Sequence, residues 1–223
     1  MIIGLSIFNN FPRVLSVHIL LAVYLYIKFR NLIIMEKSTP VKNTDRQYEQ
    51  AVEACKDIFL KKTRDYGTSW RVLRTISIAD QLYIKARRIR TLQETQETRV
   101  GEDKKGEFMA MVNYGVIGLI QLTMGADTPQ ELDPEEAGRL FAVQIASARS
   151  VMRDKNHDYG EAWREMSQES FVDLILMKIL RIRQIAANDG ATLISEGIDS
   201  NYIDIINYSL FALILIGEGK HSA

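Results

Sequence analysis

Cysteine is nearly absent from this 223-residue chain. The single Cys55 excludes an internal disulfide and, set in an apolar helical pattern, reads as a small core residue. A reducing, cytoplasmic compartment is consistent with that. Excess charge of either sign is missing as well. Lysine plus arginine number 28 and aspartate plus glutamate 28, so the formal net charge is zero. Nothing in that balance points to nucleic acid or an acidic polymer as partner. No strand-like alternation of apolar and polar residues stands out. What is present is ordinary globular composition, 47% hydrophobic and 25% charged, in a chain long enough for a sizeable core.

Charge is also scarce over residues 1–34, where only Arg13, Lys28 and Arg30 carry any. The longest uncharged apolar run, residues 14–27, is shorter than the ~20 residues a spanning helix needs. No basic region precedes it and no small-x-small cleavage site follows, which argues against a secretory signal. Three readings stand: translation starting at Met35, a single membrane anchor with Lys28 and Arg30 on the cytoplasmic side, or a helix packed on the domain. A membrane partner depends on this segment alone.

An internal repeat dominates the rest. Lys62-Thr63-Arg64-Asp65-Tyr66-Gly67-Thr68-Ser69-Trp70-Arg71 returns as Lys155-Asn156-His157-Asp158-Tyr159-Gly160-Glu161-Ala162-Trp163-Arg164. The register then holds without a gap: Ser77 with Ser170, Asp80 with Asp173, Lys85 with Lys178, and Arg88-Ile89-Arg90 with Arg181-Ile182-Arg183. From Lys62 to Arg90, 12 of 29 positions agree, far above chance, so a segment has been duplicated. One inserted residue later, Glu102 falls on Glu196 and Asn113-Tyr114 on Asn207-Tyr208. The expected fold is all-α: two tandem helical repeats of about three main helices each, packed as a pseudo-twofold bundle. The expected boundaries are 1–34 for the hydrophobic segment, 35–125 for the first repeat and 126–223 for the second.

Helical spacing of Tyr48, Val52, Cys55, Ile58 and Phe59, and of Phe141, Ile145, Ala148, Val151 and Met152, opens each unit with an amphipathic helix, over 44–63 and 134–156. Gly67 and Gly160 follow as helix stops. Ser77-x-x-Asp80 and Ser170-x-x-Asp173 read as capping boxes that start the second helices. Third helices are expected over 106–122 and 199–216. Tyr66, Tyr159, Trp70 and Trp163 read as core or groove-lining residues.

Several repeated polar residues suit phosphate chemistry. Lys85 and Arg88 recur as Lys178 and Arg181, three apart and so on one helix face. They either complement the helix dipole as solvated charge or hold phosphate oxygens. The second unit adds Glu196 and Asp199, then Asp204 and Asn207, oxygen groups that would suit Mg²⁺. In the first unit Lys105 takes the place of Asp199 and Ala110 that of Asp204, so a metal site would centre on the second unit. Asp65 and Asp158 serve either the turn or a ligand.

Lys-x-x-Asp-Tyr-Gly-x-x-Trp-Arg, the Lys-x-x-Arg-Ile helix and the Glu-x-x-Asp…Asn-Tyr helix together resemble the nucleotide modification associated domain family, helical proteins of bacteria and phages. The resemblance covers nearly everything after Met35, twice. More distantly, that family looks like the MazG-type all-α nucleoside triphosphate pyrophosphohydrolases, which hold Mg²⁺ on paired acidic motifs. Glu196 and Asp199 fit such an ExxD pair. No ExxE pair stands on the preceding helix, where Asp173 is the acid present.

The resemblance implies a Mg²⁺-dependent pyrophosphohydrolase-like protein that acts on or binds nucleotide phosphates, and MazG-type pairing leaves homo-oligomers open. Glu196, Asp199 and Asp204 would hold metal, and Lys178 and Arg181 would hold phosphate. Tyr159, Trp163, Asp158, Asn207, Lys85 and Arg88 would line the substrate site. The alternative is a non-catalytic helical module that binds a nucleotide or a protein.

Overall fold

The computed structural model describes residues 44–95, 103–124 and 130–223. The hydrophobic segment 1–34 and Glu102 lie outside the described residues. The chain divides into two compact parts, Met1–Thr44 and Asp45–Ala223; apart from Thr44 the helices below, and both repeat units, belong to the second.

Among its described residues that part has six α-helices: α1 (Thr44–Tyr66), α2 (Thr75–Thr95), α3 (Lys104–Thr123), α4 (Pro134–Tyr159), α5 (Gln168–Ala187) and α6 (Ile198–Gly217). Short 3₁₀ turns, Ser69–Val72 and Ala162–Glu165, link α1 to α2 and α4 to α5. No strand occurs among the described residues. The apolar spacing seen in sequence is what drives α1 and α4 to fold: Tyr48, Val52, Cys55 and Phe59 are buried on one, Phe141, Ile145, Ala148 and Met152 on the other. Gly67 and Gly160 end them with φ of +68° and +61°, a conformation that costs glycine little. Pro134 at the start of α4 follows Asp133, whose carboxylate accepts the Glu135 N–H at 2.7 Å.

The second helices start differently from expectation. α2 begins at Thr75 and α5 at Gln168, so Ser77 and Ser170 lie inside the helices rather than at their caps. Ser167 is the N-cap of α5, its hydroxyl accepting the Ser170 N–H at 3.1 Å. Asp80 and Asp173 are thereby freed for another role. Asp80 pairs with Arg183 at 2.6 Å, and Asp173 pairs with Arg90. These are one contact made twice, each acid of one repeat meeting the second arginine of the Arg-Ile-Arg run in the other.

The packing follows the same twofold logic. α3 packs on α6 and α2 on α5, while α2 covers α3 and α5 covers α6. α1 runs antiparallel beside α4, tied by Asp45–Arg153 at 2.9 Å, by Glu49–Arg149 and by the Phe59–Phe141 rings. The α3–α6 approach is close because Gly115 and Gly118 lack side chains. A Cβ there would come within 2.7 Å of Ile206 and 2.5 Å of the Tyr202 ring. α6 is long and apolar enough to cross a membrane, but 72% of that window is buried inside the protein, which is also what a core helix looks like.

Candidate functional site

In the first unit the repeated motif closes around a cavity of about 460 Å³. The last turns of α1 bring Lys62, Thr63 and Tyr66, the turn brings Gly67, and the 3₁₀ segment brings Trp70. Lys85 comes from α2; Glu107, Ala110, Asn113 and Tyr114 come from α3. Ile58, Phe59, Leu73, Met109 and Ile117 supply apolar wall. The turn is locked from outside: Thr68 donates its N–H to Glu131 at 3.0 Å and its hydroxyl to the Gln130 carbonyl at 3.1 Å, and accepts from the Leu132 N–H at 2.9 Å. Gly67 is favoured here by its positive φ, and a Cβ would also press on the Glu131 carboxylate that accepts the Thr68 N–H.

Two polar atoms of this cavity's residues stand out. Trp70 Nε1 and Asn113 Oδ1 are buried and have no hydrogen-bond partner among the described residues, in residues only 9% exposed. A buried polar group left unpaired costs about 1–3 kcal/mol. Asn113 is fixed by its other end, Nδ2 donating to the Cys55 carbonyl at 3.1 Å. Among the described lining residues Glu107 is the one acid, against Lys62 and Lys85. Glu107 is buried; Lys85 Nζ lies 3.2 Å from Oε2, an ionic contact, and Arg88 hydrogen-bonds Oε1.

In the second unit the equivalent groups satisfy one another. Lys155 and Lys178, the counterparts of Lys62 and Lys85, take the two oxygens of Asp204 at 2.6 and 2.5 Å. Lys178 and Asp204 are both buried. Burial alone would lower the pKa of Lys155, but the hydrogen bond and charge of Asp204 outweigh it and the net shift is upward. Tyr208 is pushed up by burial and by Asp204, against Lys155 and Arg181. Trp163 stacks on Phe211 at 4.2 Å and donates Nε1–H to Asn156 at 3.2 Å. Asn207 donates to the Ala148 carbonyl at 3.0 Å, matching Asn113 on Cys55, and its oxygen accepts from Tyr48 at 2.8 Å. Phe141 stands where a second such tyrosine would be, which is why Asn113 Oδ1 has no matching donor.

The other expected site residues are dispersed. Glu196 and Asp199 are exposed. Glu196 and Arg181 border an open groove with Gln184, Asn188 and Asn201. Tyr159 is 75% exposed, so it is neither core nor groove wall, and Tyr66 is 57% exposed at the rim of the first cavity. Among the described residues Asp158 pairs with its neighbour His157, at 3.0 Å. Lys85 and Arg88 turn to Glu107.

Among the described residues no group of three or more His, Cys, Asp or Glu side chains could hold a metal ion. Glu196, Asp199 and Asp204 are not gathered into such a group. Both oxygens of Asp204 already face ammonium groups, so this donor set does not fit the ion.

Sequence reading passed over Glu107, and it gave Lys62 and Lys155 no site role although both open the repeated motif. The signal was there in the repeat: each third helix carries one buried acid, Glu107 opposite Asn201 and Asp204 opposite Ala110, one helical turn apart. No curated protein and no solved structure matches the chain. The profile of nucleotide modification associated domain 1 does match, over residues 62–122 and again over 155–216. Those two stretches contain the Asp-Tyr-Gly turns, the tryptophans, the basic helices and the Asn-Tyr helices described above, and the chain belongs to the nucleotide modification associated domain 1 family as a tandem duplicate.

Proposed function

We propose that the chain binds a nucleotide in the cavity of its first unit. The observation that carries this is the cavity itself, lined by two lysines, Lys62 and Lys85, and by the aromatic side chains of Phe59, Tyr66, Trp70 and Tyr114. Trp70 Nε1 and Asn113 Oδ1 are buried behind its wall with no partner among the described residues, and pair with a heterocyclic base only if the lining gives way slightly. Trp70, Phe59, Tyr66 and Tyr114 offer aromatic surface for it. Lys62 and Lys85 suit the phosphate, and the charge they carry exceeds that of Glu107. The reading is binding rather than metal-assisted hydrolysis, because the acids that hydrolysis would need are exposed or tied to lysine.

Fluorescence tests this cleanly. The chain has two tryptophans, so a Trp163→Phe protein reports on Trp70 alone. Titration with nucleoside mono-, di- and triphosphates is expected to perturb that emission without added metal. Trp70→Phe keeps an aromatic ring but loses the N–H and should weaken binding about tenfold by calorimetry, one hydrogen bond's worth. Lys62→Ala should weaken phosphate-bearing ligands more than the free nucleoside. Binding that appears only with Mg²⁺, accompanied by pyrophosphate release, would favour the pyrophosphohydrolase reading instead.

A further inference from the structure

We infer that the second unit holds a closed copy of the same site, in which the carboxylate of Asp204 stands in for the anionic group of a ligand. This rests on the first unit's cavity being a ligand site. The two units share register, hydrogen bonds and turns, so equivalent positions can be compared directly. Lys155 and Lys178 in one correspond to Lys62 and Lys85 in the other, and Asp204 corresponds to Ala110. Asp204 places one oxygen on each lysine, at 2.6 and 2.5 Å. In the first unit Ala110 ends at a methyl group, and Lys62, Lys85 and Ala110 line the open cavity together.

A carboxylate bridging two ammonium groups presents two anionic oxygens, the number a phosphate would offer the same pair. The position of Asp204 thus marks where a ligand's phosphate belongs in the first unit, above Ala110 and between Lys62 and Lys85. The rest of the second site is filled consistently: Trp163 Nε1 is bonded and the ring is covered by Phe211, at the place of Ile117. One chain therefore takes one ligand, in its first unit.

Reciprocal substitutions test this. Asp204→Ala removes the built-in anion and leaves Lys178 buried and unpaired, so the melting temperature should fall in chloride buffer. Inorganic phosphate at matched ionic strength should restore much of that loss. Wild type should respond less, and Asp204→Ala combined with Lys178→Met should not be rescued. Ala110→Asp supplies the anion to the first unit. It should raise the melting temperature without ligand and reduce nucleotide affinity by about a hundredfold or more, since like charge then meets the phosphate.

Equal melting of Asp204→Ala in phosphate and chloride overturns the inference. So does an Ala110→Asp protein that is no more stable than wild type and binds nucleotide as well. Should Asp204→Ala fail to fold, the half-buried Ala110→Asp decides alone. Phosphate rescue of Asp204→Ala in a protein whose wild type binds no nucleotide would sustain the closed copy and reject the nucleotide reading. Nucleotide binding without rescue would do the reverse.

Discussion

Cys55 joins two features of the fold at one residue. Its carbonyl receives Asn113, and its thiol is buried in the contact between α1 and its neighbours. Burial pushes that thiol from its ordinary value of 9.0 up to about 12. The folded state therefore holds the proton more tightly than the unfolded chain. The stability linked to it is complete below pH 9 and is lost as pH rises toward 12. Burial raises Tyr48 and Tyr202 in the same direction, and Lys155 is also raised, so all four groups act against the fold in alkali. Melting curves from pH 7 to 11 should show the melting temperature falling above about pH 9, with a shallower fall in Cys55→Ala. At neutral pH the native thiol should resist iodoacetamide and react once the chain is unfolded.

The α3–α6 contact is the element-level feature that the fold depends on most directly. Gly115 and Gly118 let Ile206 and Tyr202 lie against the α3 backbone. At the equivalent places on α6 stand Ser209 and Ala212, both buried and both small. Small residues thus occupy the equivalent places on both helices of the crossing. Gly118→Val would push a branched side chain into the Tyr202 ring. It should cost roughly 1–3 kcal/mol in urea unfolding while leaving far-ultraviolet dichroism helical. A stability equal to wild type would mean that the helices do not approach so closely. The ion pairs Asp80–Arg183 and Arg90–Asp173 sit at partly exposed positions and set register between α2 and α5 more than they add stability.

Across the six described helices taken together, neither repeat covers its own core. The apolar face of α3 is buried by α6, and α2 lies on α5. Residues 44–124 produced alone should therefore not persist as a folded monomer. Two copies should pair through α2 and α3 in the way the repeats pair within one chain, giving a dimer by light scattering with helical dichroism. A stable helical monomer would show that each repeat is self-sufficient.

Much of this architecture was legible in the sequence. The repeat was readable as identity between two stretches of chain, and the apolar spacing of α1 and α4 and the two glycine stops because each depends on residues a few positions apart along one helix. Helix starts were less so. Ser77-x-x-Asp80 has the form of a cap, but Asp80 is claimed by an arginine from the other repeat.

The open site was legible only in part: Tyr66, Trp70 and Lys85, read from the repeat, line the first cavity. Sequence reading centred the site on the second repeat because it has more acids, and there Glu196 and Arg181 border a separate open groove. Whether a charged side chain is free or neutralised depends on what reaches it in space. Lys155 on α4, Lys178 on α5 and Asp204 on α6 meet only once three helices are packed. The single buried acid of each third helix sits one turn apart in the two copies, and that displacement fills one site and leaves the other open.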